Sequence, residues 1–252
     1  MRLYKHTVFS FLALLWFVAS SLVNVLFSKE LYVSEETWAT FYPNDVINLV
    51  FGSAALLLGS LKKVRAGRFF LPCRSAMLLF ILYNAIATVY ANTNGMDVVL
   101  LLLTIAALLT LVEAGTYQEL LEQGTASVRS PYHAFILIFL SGVFLLRAAM
   151  QLVSKTTTPA EQGVALADIL LCSLWLANGI GFLRNPQRCF LATLICYIHG
   201  SLLFLSLLVF LILEPLLLDT TFRIVDFAVI AGMSLAFFIP LARLAKKMQQ
   251  IS

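Results

Sequence analysis

Eight long apolar stretches, separated by short loops that carry most of the charge, leave little room in this chain for any soluble domain. The stretches span about 7–27, 45–61, 72–92, 97–117, 133–153, 164–183, 190–213 and 221–243. A bilayer core takes roughly 20 residues of helix, and lipid offers no partner to an uncovered backbone amide. Runs such as Val98–Val112 are apolar on every face and lack the alternation of barrel strands. The expected fold is therefore all-α: a polytopic transmembrane bundle of eight helices forming one domain over 1–252. Composition agrees, with 61% hydrophobic and 12% charged residues and a mean hydropathy of +0.93, outside the globular range.

Charge then orients the bundle. With both termini inside, the cytoplasmic side holds Arg2, Lys5, Lys62, Lys63, Arg65, Arg68, Arg74, Arg129, Arg184, Arg188, Arg243, Lys246 and Lys247, against little more than Lys29 and Lys155 outside. This positive-inside bias accounts for the net charge of +4 without nucleic acid. The first apolar segment contains Trp16 and Asn24 and lacks a convincing small-x-small cleavage site, so it reads as a retained helix rather than a signal peptide. Ser28–Asn44 reads as an external amphipathic segment at the interface, and Gln118–Pro131 as an internal turn region.

Helix two opens on Asp45-Val46-Ile47 and helix six carries Asp168-Ile169-Leu170, each running into a basic loop. An even number of helices per unit keeps two units in one orientation, so this pattern allows two parallel four-helix repeats, 1–130 and 131–252.

Each helix that runs inward has an aspartate toward its outer end: Asp45, Asp97, Asp168 and Asp226. Capping explains Asp45 and Asp97, which follow Tyr42-Pro43-Asn44 and Asn94-Gly95-Met96. Asp168 differs, because Thr158-Pro159-Ala160-Glu161 has the form of a capping box with proline at the first helical position. That start places the carboxylate about 15 Å along the helix. Asp226 is expected one to two turns in, behind the nearer caps Asp219-Thr220-Thr221. An ionisable group at such depth must find a partner, and Arg147 in helix five, with Gln151 one turn on, is the natural one. Arg223 and Asp226 form a further i,i+3 pair. The substrate-binding set is thus Arg147, Gln151, Asp168 and Asp226, joined by Asp45 and Asn48 where helix two lines the pocket. The same residues also suit a salt bridge that fixes register and binds nothing.

Tyr83-Asn84 and Asn178 read as interhelical hydrogen-bonding groups. Glu113 and Tyr117 mark the inner interface. His199 is the single intramembrane histidine; a relay role is conceivable, but His6 and His133 give it no ligand spacing, and no metal is expected. Cys73, Cys172, Cys189 and Cys196 form no CxxC pair and read as small hydrophobes. No nucleophile elbow, HExxH, phosphate loop or Schiff-base lysine is present, so no catalytic residue and no cofactor is assigned.

The run Tyr42-Pro43-Asn44-Asp45-Val46-Ile47-Asn48-Leu49, the basic turn after it, Leu82-Tyr83-Asn84, and the later Asp168 with Arg184-Asn185-Pro186 together resemble a group of uncharacterised multi-helix bacterial membrane proteins over most of the chain. The resemblance implies a bacterial inner-membrane location and singles out Asp45, Asn84 and Asp168; no activity comes with it. The leading functional expectation is binding or translocation of a small solute or lipid through an outward-opening polar pocket. Two alternatives stand beside it. One is a membrane-embedded enzyme acting on a lipid-like substrate, which needs Asp168, Asp226 or His199 to meet a nucleophile or metal. The other is a structural or assembly subunit. The expected partners are membrane lipids, a small-molecule or lipid ligand and another membrane protein.

Overall fold

In a computed structural model the chain is an all-α membrane bundle. Residues 2–61, 64, 67, 69–92, 94–113, 131–154 and 156–250 are described. The helices are α1 (Arg2–Leu26), α2 (Ser28–Leu31), α3 (Glu35–Ser60), α4 (Phe70–Ala91), α5 (Gly95–Glu113), α6 (Tyr132–Val153), α7 (Pro159–Arg184), α8 (Pro186–Leu218) and α9 (Ile224–Gln250). Seven of them, α1, α3, α4 and α6 to α9, are long and apolar enough to cross a membrane, and α5 contributes a shorter apolar stretch, Gly95–Leu111. Lys62, Lys63, Arg65, Arg68, Tyr117, Arg129, Lys155 and nearly all of Gln118–Pro131 lie outside the described residues, as do the side chains of Arg2, Lys5, His6 and Glu113.

The principal departure from expectation is α3. It begins at Glu35 rather than Asp45, because Ser34 accepts the Thr37 amide at 3.1 Å and caps it. Most of the stretch expected to rest at the interface is therefore helix, and only the single turn α2 with Tyr32–Ser34 joins α1 to α3. Pro43 sits inside α3 without ending it. In α7 the expected capping box is present: Thr158 Oγ1 accepts the Glu161 amide and the Glu161 carboxylate accepts the Thr158 amide. At the start of α5 the cap is Asn94, which accepts the Asp97 amide at 2.9 Å, while Asp97 accepts from the Asn94 side chain. α8 continues through Pro215 to Leu218 and stops at Asp219, in the left-handed conformation.

α4 is the most enclosed helix and packs against α1, α5, α7 and α8. α7 lies closely on both α4 and α6. A Cβ added to Gly163 would stand 2.4 Å from the Ala87 carbonyl oxygen, so the backbones of α7 and α4 meet with nothing between them, as small residues permit in lipid. Aromatic rings fill the second half, where Trp175, Tyr197 and Phe204 all surround Phe237. Large apolar side chains such as Leu57, Phe139, Leu146 and Leu216 point outward, as a lipid-facing surface requires.

Short polar turns tie the acidic end together. The Val33 amide donates to Asn92 Oδ1 at 3.1 Å and Asn92 Nδ2 donates to the Leu31 carbonyl at 3.2 Å. Tyr90 reaches Gln162 across the ends of α4 and α7 at 2.8 Å.

Candidate functional site

α3, α4, α6, α7 and α8 enclose a cavity of about 260 Å³. Its walls are mainly apolar, with Phe80, Phe144, Trp175, Phe204 and Phe210 among them, and its polar groups are few: Asn44, Tyr83, Asn84, Arg147, Asp168 and two hydroxyls. Convergence of a few polar groups in an apolar hollow is the general form of a small-molecule site.

Asp168 reaches the cavity because the Thr158 cap fixes the start of α7 ten residues earlier. The residue is 7% exposed. Tyr83 of α4 donates its hydroxyl to Asp168 Oδ1 at 3.1 Å, which sets the orientation of the carboxylate. Oδ2 is buried and has no hydrogen-bond partner among the described residues. Arg147 lines the same cavity from α6, in an exposed position, and forms no direct ion pair with Asp168. The cavity therefore holds a buried acid and an exposed base with no direct ion pair between them, and burying the acid is costly in a membrane interior.

A second polar network joins α3 to α4 at the edge of the cavity. Asn44 and Asn48 both donate to Asn84 Oδ1, at 2.7 and 3.3 Å, and Asn84 Nδ2 donates back to the Phe80 carbonyl at 2.9 Å. Asn48 Oδ1 is buried and unpartnered among the described residues. Asp45, eleven residues past its helix cap and 3% exposed, accepts from Tyr32 and, at 3.4 Å, from Asn24 of α1. Burial and the adjacent Asp45 carboxylate push the Tyr32 phenol far above its ordinary range, so it remains a donor.

The six expected binding residues thus fall in different places. Arg147 and Asp168 line the cavity, while Asn48 is buried beside it on Asn84 and Asp45 is buried with Asn24 and Tyr32. Gln151 is half-buried, lies off the cavity, and its backbone carbonyl accepts from Thr157 at 2.7 Å. Asp226 is in the first turn of α9, not one to two turns in, because residues 219–223 form no helix and α9 starts only at Ile224. Its carboxylate lies 3.7 Å from Arg223, the expected i,i+3 pair, and Arg223 also meets Glu214. His199 is fully buried, and its Nδ1 accepts from Trp175 Nε1 at 3.2 Å, so it stands behind the cavity wall that Trp175 forms. Among the described residues no three His, Cys, Asp or Glu side chains converge as a metal site.

Sequence reasoning missed two contacts that order these groups, Tyr83 on Asp168 and Tyr32 on Asp45. No protein-family model matches the chain, and no curated protein or solved structure matches it either.

Proposed function

We propose that this protein binds a small solute or lipid in the cavity between α3, α4, α6, α7 and α8, and carries it across the membrane. The observation that supports this reading most is the buried, unpartnered Asp168 Oδ2 in a cavity that Arg147 also lines. The buried oxygen wants a partner that a bound molecule supplies, and Arg147 offers a second, positive contact at the same cavity. The enzyme alternative is less well supported, since His199 is engaged by Trp175 behind the wall and Asp226 lies on the exposed start of α9.

The reading includes eight spans, with α5 as the short one, both termini cytoplasmic, and residence in a bacterial inner membrane. It is supported by Arg184, Arg188, Arg243, Lys246 and Lys247 clustering at helix ends opposite those that carry Glu30, Glu35, Glu36 and Glu161. It also includes a four-plus-four duplication. α3 and α7 each have 26 residues, a hydroxyl cap, and an aspartate eleven or ten residues past that cap that accepts a tyrosine hydroxyl. α4 packs on α7 and α3 on α8, the reciprocal contacts a two-fold relation would give; α1 meets α5, however, whereas α6 and α9 have no such interface.

The test fills the hollow without touching its charges. Val164 lines the cavity, so Val164→Trp should occupy it. Purified protein in detergent is equilibrated with a metabolite and lipid extract, and retained molecules are identified by mass spectrometry. The expected result is a molecule held by the wild type and lost from Val164→Trp; equal retention by both would place binding elsewhere.

A further inference from the structure

Resting on that reading, we propose that the ligand is zwitterionic, with an ammonium or equivalent donor group directed to Asp168 and an acidic group directed to Arg147, on an apolar body. Three observations combine. Asp168 Oδ2 is buried, unpartnered among the described residues and on the cavity, while Oδ1 is occupied by the Tyr83 hydroxyl at 3.1 Å. The free oxygen therefore accepts from whatever enters. Arg147, on α6, lines the same space and forms no direct ion pair among the described residues. The rest of the lining is mainly aromatic and aliphatic, including Phe144 and Leu207, with Thr40, Asn44, Asn84 and Ser206 as its other polar residues.

A site with an oriented negative group and a positive group that form no direct ion pair complements a molecule that carries both charges with a spacer between them. A purely anionic ligand would leave the buried Asp168 Oδ2 unpaired, a strong penalty, and a purely cationic one would forgo the bond that the exposed Arg147 offers, a smaller loss. A zwitterion does neither, and its own transfer from water is offset at both ends by charge-assisted bonds. The cavity, about 260 Å³, lies at the small end of ligand pockets. It suits a free amino-acid-like solute or the headgroup of an aminophospholipid, two sources of one chemistry.

The experiment measures binding to full-length protein in detergent by calorimetry. The probes are phenylalanine, short-chain phosphatidylethanolamine, and the single-charge analogues phenethylamine and 3-phenylpropionate. Phenylalanine or phosphatidylethanolamine is expected to bind at least about tenfold more tightly than either analogue, since each lost charge-assisted contact is worth roughly an order of magnitude. Whichever of the two binds identifies the source. Asp168→Asn should erase the advantage over the anion, and Arg147→Gln the advantage over the cation, in variants that remain monodisperse. Should Asp168→Asn not fold, Tyr83→Phe provides a milder test, weakening zwitterion affinity while leaving the anion unchanged. Equal affinity for zwitterion and single-charge probes overturns the zwitterion assignment and leaves the cavity as a binding site. No binding of any probe, together with equal retention by wild type and Val164→Trp in the extract experiment, overturns both readings.

Discussion

Substitution of Gly163 by alanine probes the packing on which the candidate site depends. The added Cβ would lie 2.4 Å from the Ala87 carbonyl oxygen, and 3.2 and 3.3 Å from two further backbone atoms of that residue. Backbone atoms of a central helix cannot rotate aside as a side-chain tip can. Ordinary contact begins at 3.4 Å, so α4 and α7 must part by about 1.0 Å (3.4 − 2.4). Tyr83 lies one turn before Ala87 on α4, and its bond to Asp168 spans the same interface at 3.1 Å. An equal displacement there gives about 4.1 Å, beyond hydrogen-bonding range. Overpacking costs about 1–3 kcal/mol and the lost hydrogen bond about 1 kcal/mol, for a total of about 2–4 kcal/mol. At roughly 2–4 °C per kcal/mol for a chain of this length, the melting temperature should fall by roughly 4–16 °C. Intrinsic tryptophan fluorescence during heating in detergent measures it. Gly59→Ala, where a Cβ meets nothing within 4 Å, is the matched control and should melt no lower than the wild type. A Gly163→Ala protein that melts with the control would refute the close approach of α4 and α7.

Asn84→Leu removes the acceptor shared by Asn44 and Asn48 and should lower stability by about 1–3 kcal/mol; an unchanged melting temperature would show that the network contributes nothing. Arg223→Gln breaks contacts with Glu214 and Asp226 at a half-exposed site, so stability should change by no more than about 1 kcal/mol and ligand retention not at all; loss of retention would return Asp226 to the site. His199→Leu should lower stability, because Trp175 Nε1 loses its acceptor in a fully buried position, without altering which ligand is held. A stable variant with selective loss of binding would instead give His199 a functional role.

Membrane class and most helix positions were legible in the sequence because lipid imposes one rule on every span: internal backbone pairing and an apolar surface. The depth of Asp168 was legible because a capping box is local, with Thr158 and Glu161 three residues apart. The same local reasoning failed at Asp45. Pro43-Asn44-Asp45 resembles a helix start, whereas Ser34 caps the helix a full eleven residues earlier and the chain continues through the proline. What could not be read were partnerships made by packing. Tyr83 meets Asp168 across 85 residues of sequence, and Tyr32, in the short connection before α3, turns back onto Asp45 well inside that helix. Arg147 and Asp168 were expected to share a pocket and both line one cavity; that they do so without a direct ion pair follows from the packing of α6 on α7, not from their spacing in the chain.

The central claim, that this cavity is a ligand site organised by Asp168, is tested most directly by native mass spectrometry of protein gently extracted from its membrane, wild type beside Asp168→Asn. The account predicts a discrete bound molecule on the wild type that is absent from a folded Asp168→Asn variant. The same molecule on both, or none on either, would contradict it.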